Sequence, residues 1–148
     1  MANTYSQIYI HIVFSVKGRE NLIRSIHREE LQKYVSGIIK HKEHKLYAIY
    51  IQPDHVHMLV SINPIYAVSD LVRDIKANSS RYVNEQKWVK GKFLWQEGYG
   101  AFSVSKSQTD VVIQYINNQG EHHKKKTFKE EYYDILNKYE IEYEEKYL

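Results

Sequence analysis

The sequence predicts an α+β fold, namely a ferredoxin-like (RRM-like) split βαβ arrangement in which an antiparallel sheet carries two helices on one face. Three observations support this prediction. Apolar residues alternate with a period of two in four short segments. They recur at helical spacing in two longer segments that lie between these strands. The resulting order of strand, helix, strand, strand, helix and strand describes two βαβ-like halves that meet at a hairpin.

The first half of the chain supplies three strands and one helix. Residues 6–17 alternate with largely apolar side chains on both faces, which indicates a central strand. In residues 26–42 apolar side chains fall at i, i+3, i+4, i+7 and i+8, which is typical of an amphipathic helix. Residues 45–52 and 55–62 have the pattern of two strands, and the turn-forming Pro-Asp pair between them predicts a hairpin.

The second half continues with a helix and a short strand. Apolar positions in residues 68–83 keep helical spacing over four turns. A loop rich in Lys, Trp and Gly then leads to residues 101–105, which form the last strand of the predicted sheet. The face of the sheet opposite the two helices is left for a ligand or for a third helix.

That third helix is expected directly after the last strand. Ser107 and Asp110 have the spacing of a capping box, which predicts a helix from about residue 108 to residue 119, and Gly120 is placed to end it. After a basic joint at residues 122–126, the chain is expected to form a terminal helix or an irregular tail.

Length and composition indicate one folded domain over residues 1–148, with a core of about 5–120 and an acidic, Tyr-rich tail of about 127–148. The chain has no Cys, which excludes disulfides, Cys-ligated zinc and a thiol nucleophile. No apolar run approaches the roughly 20 residues that cross a bilayer, so no membrane partner is expected and the predicted location is cytoplasmic. We assign no role to the tail.

The sharpest chemical feature is the pair His55 and His57. Residues two apart in a strand project from the same face, so two imidazoles can converge on one ion, on the side away from the helices. The alternative is a polar pair on an exposed strand face. Tyr115 and Gln119 are i and i+4 on the third helix, so an amide oxygen could complete the ligand set beside a tyrosine oxygen. The alternative for Tyr115 is packing.

Other side chains are candidates for support or for binding. His11 could support the site or simply pack, and His122 and His123 are alternative ligands or part of the basic joint. Residues 1–128 hold 18 basic and 11 acidic residues, which suggests a polyanionic partner. Candidate phosphate contacts are Lys17, Arg19, Arg73, Lys76 and Arg81, with Lys87, Lys90 and Lys92 in the loop. Candidate base-stacking residues are Trp88, Trp95 and Tyr99.

Five stretches, at residues 9–17, 52–60, 68–84, 94–105 and 111–119, resemble the single-tyrosine HUH transposases of small bacterial insertion sequences, the insertion-sequence 200/605-like family. The resemblance runs from about residue 5 to about residue 135. Its most specific parts are DHVH, which ends at His57, and YINNQ, which begins at Tyr115. Together, on this order of strands and helices, they distinguish the family.

The resemblance implies that His55 and His57 are metal ligands, that Gln119 is the third protein ligand and that Tyr115 is the nucleophile. It implies a bacterial, nucleoid-associated enzyme that cuts single-stranded DNA at hairpins near element ends, forming a 5′-phosphotyrosine and a free 3′-OH. Mg²⁺ or Mn²⁺ is the implied cofactor. The implied assembly is a homodimer in which the tyrosine helix of one protomer completes the histidine site of the other.

Elementary chemistry agrees with a metal-assisted tyrosine, because a phenol with a pKa of about 10 needs a nearby positive charge or base to act as a nucleophile at pH 7. Two rival functions remain open on the sequence. One is a non-catalytic RRM-like module that binds single-stranded nucleic acid. The other is a metal-dependent phosphodiesterase in which water attacks in place of Tyr115.

Overall fold

The computed structural model describes residues 4–122 and 125–148 and contains a four-stranded antiparallel sheet with the order β2-β3-β1-β4. The strands are β1 (Tyr9–Ser15), β2 (Lys45–Ile51), β3 (His55–Ser61) and β4 (Gly100–Val104). β1 pairs with both β3 and β4, and β3 also pairs with β2, so the two most buried strands, β1 and β3, lie in the centre. The α+β, ferredoxin-like fold is thereby confirmed.

Two helices, α1 (Ser25–His41) and α2 (Val68–Gln86), cover one face of this sheet. The alternation of β1 directs Ile12 and Phe14 into this layer, and β3 adds Met58. The helices meet them with the apolar stripes that their sequences predict, and these buried residues include Leu31, Val35, Ile39, Leu71, Ile75 and Val83. Among the described residues, no helix has the length and apolarity that a membrane span requires.

The opposite face is covered by the chain that follows β4, which forms α3 (Thr109–Asn117), the short α4 (Gln119–His122) and α5 (Phe128–Lys138). Ile116 of α3 packs on Leu59, while three residues of α5 pack around Val13 and Phe102. Those three are Phe128, Tyr132 and Leu136. A second, smaller core therefore lies on the face that carries the histidines.

The third helix begins within one residue of its predicted start, but its predicted cap and its predicted end are wrong. A 3-10 turn over Lys106–Gln108 precedes α3, so Ser107 does not stand at a helix N-terminus, and its hydroxyl contacts Ser105 instead of capping. The helix ends at Asn117, and Gly120 lies inside α4. A methyl group on Gly120 would stand 3.1 Å from the Tyr50 hydroxyl oxygen, so a larger residue there would require the Tyr50 side chain to shift slightly.

Candidate metal and tyrosine site

The strand β3 positions both histidines on the face opposite Val56 and Met58, as the alternation predicts. The side chains of His55 and His57 are fully buried, because α4 and α5 cover this part of the sheet. An exposed polar pair, the alternative interpretation of His-x-His, is therefore wrong. Two imidazoles without solvent contact need specific polar partners.

Each histidine has such a partner at its Nδ1 atom. His55 Nδ1 lies 2.6 Å from an Asp54 carboxylate oxygen, and His57 Nδ1 lies 2.9 Å from His11 Nε2. Burial, with a smaller effect of the neighbouring His57, lowers the pKa of His11 to about 3, so His11 is neutral at physiological pH. Partners at Nδ1 fix the ring orientation, as they do in proteins whose histidines bind metal through Nε2. Both Nε2 atoms face a common centre.

Gln119 and Tyr115 reach the same centre from α4 and α3. The Gln119 amide oxygen lies 3.3 Å from His55 Nε2, and the Tyr115 ring centroid lies 5.7 Å from that of His57. The two residues are close, as predicted, although they do not share one helix. Tyr115 is half-buried, and burial together with the Glu131 carboxylate raises the pKa of its hydroxyl group above the usual value.

Glu131 of α5 completes the cluster and was not expected from the sequence. Its Oε1 atom lies 2.8 Å from His57 Nε2 and 3.6 Å from His55 Nε2. Its Oε2 atom accepts hydrogen bonds from the Gln119 amide nitrogen at 2.9 Å and from the Tyr115 hydroxyl group. The side chain is only 4% exposed, and one ligand atom from each of His55, His57 and Glu131 lies within 4.8 Å of the others.

A signal for this residue was present in the sequence. Thr127 and Glu130 form a capping box, in which the Thr127 hydroxyl oxygen accepts from the Glu130 backbone N–H at 3.2 Å. This motif predicts a helix from residue 128, with Phe128, Tyr132 and Leu136 on one face. Glu131 precedes Tyr132 and lies on the same buried side of the helix. Acidic side chains are rarely buried unless they are paired.

The side chains in this centre suit a divalent cation. Two imidazole nitrogens, one amide oxygen and one carboxylate oxygen converge in a buried space. Carboxylate and amide oxygens favour Mg²⁺ and Mn²⁺, whereas imidazole alone would favour zinc. The observed set therefore fits a metal-dependent site better than the two histidines alone would.

The predicted phosphate contacts on α2 lie on the other side of the sheet from this site. The Lys76 ammonium group donates to the backbone carbonyls of residues 96, 97 and 98, and burial lowers its pKa to about 8. Arg73 pairs with Asp70, and Arg81 donates to Asn78. These three cations are thus engaged in contacts within the chain.

The remaining candidates are dispersed. The Arg19 guanidinium group donates to the Leu148 carbonyl oxygen at 2.6 Å, and Lys17 is exposed. Trp95 is buried and donates to Ser79, and Trp88 stacks on His27, so neither ring is free for a base. Tyr99 is 36% exposed, and Lys87, Lys90 and Lys92 are exposed. His123 and the side chain of His122 lie outside the described part of the chain.

An open pocket of about 550 Å³ lies beside the site. Asp54, which orients His55, forms one wall, and Phe128, which stacks on His55 with ring centroids 4.3 Å apart, forms another. Lys125 and Lys126 also line it. With Glu130, the pocket thus presents two basic and two acidic side chains beside the buried histidines.

Comparison with known proteins gives consistent matches. The family model described as "Transposase IS200 like" matches residues 4–119. The chain is similar to the ISDra2 transposase TnpA of Deinococcus radiodurans, with 27% identity over 120 residues, 76% of this chain and 84% of that protein. It is also similar to the transposase for insertion sequence element IS200 of Salmonella typhimurium, with 28% identity over 130 residues, 84% of each chain.

Two solved structures share the fold. One, described as a transposase from Deinococcus radiodurans, has a TM-score of 0.64 and 24% identity, covering 80% of this chain and 95% of that chain. The other is a REP-associated tyrosine transposase bound to a REP hairpin, with a TM-score of 0.63 and 13% identity, covering 83% of this chain and 73% of that chain.

Proposed function

The chain belongs to the IS200-like transposase family, and from this premise we propose that it cuts and rejoins single-stranded DNA at hairpin-marked element ends through a 5′-phosphotyrosine intermediate. One observation carries the proposal. The Tyr115 hydroxyl group and the ligand atoms of His55, His57 and Gln119 converge in one site. A nucleophile beside a cation-binding set is what phosphoryl transfer to a tyrosine requires.

In the proposed reaction the Tyr115 oxygen attacks the scissile phosphorus. The bond from phosphorus to the tyrosine oxygen forms, and the bond from phosphorus to the 3′ oxygen breaks. The hydroxyl proton leaves the tyrosine, and the departing 3′ oxygen takes up a proton to become a 3′-OH. Rejoining reverses this step with another DNA end, so the reaction needs neither ATP nor an external nucleophile.

We propose His55, His57 and Gln119 as ligands of a divalent ion, Mg²⁺ or Mn²⁺. When bound, such an ion would polarise the scissile phosphate and stabilise the leaving oxygen. Asp54 and His11 hold the two imidazoles with Nε2 turned to the site. Burial and the negative charge of Glu131 keep the Tyr115 hydroxyl group protonated. A cation that offsets the Glu131 charge would therefore favour loss of the Tyr115 proton.

The proposed partner is single-stranded DNA that carries hairpins. The REP-associated relative is bound to a REP hairpin, and Lys125 lines the pocket beside His55. Lys126 lines it too but pairs with Asp134. Among the exposed cations that the sequence suggested, we favour Lys17, because the preceding Val16 donates its backbone N–H to the carbonyl oxygen of Asp54 beside the site, at 2.8 Å. Lys76, Arg73 and Arg81 are engaged within the chain, and a DNA contact would compete with those bonds.

We also propose a homodimer with composite sites, in which Tyr115 and Gln119 act on the histidines of the partner chain. In the single chain, α3 packs on its own β2 and β3. Only residues 105–108 join β4 to α3, so the helix is an attached unit that can dock on either sheet. The contacts of α3 with β2 and β3 would be the same whether these strands belong to its own chain or to the partner chain.

The test is incubation of the protein with end-labelled hairpin DNA and Mn²⁺, followed by a denaturing gel. The unaltered chain should give a protein band shifted by covalent DNA, and Tyr115→Phe should remove cleavage and adduct while hairpin binding persists. Tyr50→Phe is the matched control, because its ring lies near Gly120 and it should keep the adduct.

The rival functions give different gels. Attack by water would give cut DNA without a shifted band. A binding module would give neither. Undiminished cleavage by Tyr115→Phe would contradict the proposal.

A further inference from the structure

We propose that Glu131 is a fourth protein ligand of the divalent ion, delivered to the strand histidines by the C-terminal helix α5. This inference rests on the proposed metal dependence and adds a residue from outside the motifs that identify the family. Residues 4–119 match the family model, so α5 lies beyond the matched part of the chain.

The geometry places four electron-pair donors around one centre. Glu131 Oε1 lies 2.8 Å from His57 Nε2 and 3.6 Å from His55 Nε2, and the Gln119 amide oxygen lies 3.3 Å from His55 Nε2. A metal ion held by nitrogen and oxygen at about 2.0–2.3 Å sits between ligand atoms that are themselves about 3 Å apart. The observed separations correspond to that spacing.

The orientation of His55 argues that a cation belongs between these atoms. The Asp54 carboxylate accepts a hydrogen bond from His55 Nδ1, which turns Nε2 into the site. The two atoms that Nε2 faces there, the Gln119 amide oxygen and Glu131 Oε1, both offer lone pairs. A divalent ion between these three atoms would be attracted to each of them.

Burial and charge favour a carboxylate in the set. A divalent ion held by two imidazoles and an amide would bring two positive charges into a site without solvent contact, and Glu131 halves that charge. Packing of Phe128, Tyr132 and Leu136 against β1 and β4 holds α5 in place, so the carboxylate is positioned by apolar contacts in addition to its polar ones.

The experiment is titration calorimetry of the full chain with MnCl₂, in the absence of DNA. Glu131→Gln should weaken Mn²⁺ binding by roughly 10-fold to 100-fold, because it replaces an anionic ligand by a neutral one of the same size. Glu130→Gln is the matched control, since it removes the same charge from the same helix and glutamine still completes the capping box. It should change the affinity by less than about twofold.

A second readout is the rise in melting temperature on adding Mn²⁺, which should be large for the unaltered chain and for Glu130→Gln and small for Glu131→Gln. Glu131→Asp keeps a carboxylate on a shorter stem and should bind Mn²⁺ more tightly than Glu131→Gln. This ranking holds even if both substitutions loosen the fold, so it separates ligation from a loss of stability.

Unchanged Mn²⁺ affinity in Glu131→Gln would overturn the inference. Tighter binding in that variant would do the same, and would identify Glu131 as a group that blocks the site. A variant with His55→Ala and His57→Ala together separates the claim that Glu131 is a ligand from the claim that the histidines form a metal site. If that variant loses Mn²⁺ while Glu131→Gln keeps it, Glu131 is not a ligand but the proposed metal site stands. If the unaltered chain binds no Mn²⁺, both fail.

Discussion

His11 on β1 contacts His57, which we propose as a metal ligand. Its Nε2 atom lies 2.9 Å from His57 Nδ1, and the two rings stack with centroids 5.1 Å apart. His11→Phe would retain the ring that packs near Phe102 but would remove the polar partner of His57. We therefore expect about 10-fold to 100-fold weaker Mn²⁺ binding, with the fold retained.

Calorimetry with MnCl₂ checks this prediction, and circular dichroism checks the fold. Tyr9→Phe is a suitable control, because Tyr9 lies on the same face of β1 and packs on Tyr47 away from the histidines. Equal Mn²⁺ affinity in His11→Phe and the unaltered chain would show that His11 only fills space beside His57.

The sequence could predict the residues of the site that local geometry brings together. Strand parity directs His55 and His57 to one face, and the spacing of Tyr115 and Gln119 brings them close although the helix breaks between them. Glu131 could not be assigned in this way, because it meets His57 across 74 residues of chain and only the packing of α5 decides which of the tail's acids enters the site. Its neighbours indicated a buried face, but not what that face would cover.

At the scale of the elements, α5 joins the acidic tail to the rest of the fold. Leu136 is 5% exposed and packs with Val13 and Phe102, so Leu136→Ala should lower the free energy of unfolding by about 2–5 kcal/mol. Chemical denaturation measures the change. Ile141→Ala is the control, because Ile141 is 40% exposed and should cost far less.

The same measurement tests whether residues 1–148 form one domain, as the sequence predicts. A tail that does not dock would make Leu136→Ala nearly neutral. The denaturation curve should also remain a single transition, because a helix that supplies part of the core beside β1 unfolds with it.

The elements themselves could be predicted wherever a hydrophobic period extended over several turns or several strand residues, as in α1, α2 and the four strands. The prediction was wrong where short signals competed. Ser107 has the spacing of a cap, but the backbone uses a 3-10 turn there, and Gly120 lies beside Tyr50 inside α4 and not at a helix end. Such choices depend on tertiary contacts that a local pattern does not contain.

At the scale of the whole molecule, the two faces of the sheet have different roles. One face carries the large apolar core beneath α1 and α2, and the other carries the histidines, Tyr115 and Glu131. Residues of β1 and β3 alternate between the two, so a shift of one residue in their pairing would exchange the core and the site. The site is thus fixed to a rigid sheet, while Tyr115 reaches it from a helix on a short connection.

This division permits a test of the proposed assembly. A Tyr115→Phe chain keeps the histidines, and a chain with His55→Ala and His57→Ala keeps the tyrosine. If Tyr115 acts on the partner's histidines, each mixed dimer regains one of its two sites, whereas a site built within one chain regains none. After subunit exchange, an equal mixture should give roughly a quarter of the activity of the unaltered protein, because about half of the dimers are mixed. Gln119 would come from the same chain as Tyr115.

Subunit exchange is verified separately with differently tagged chains. A mixture that remains inactive after verified exchange would assign the active site to the arrangement within one chain, with α3 on its own sheet.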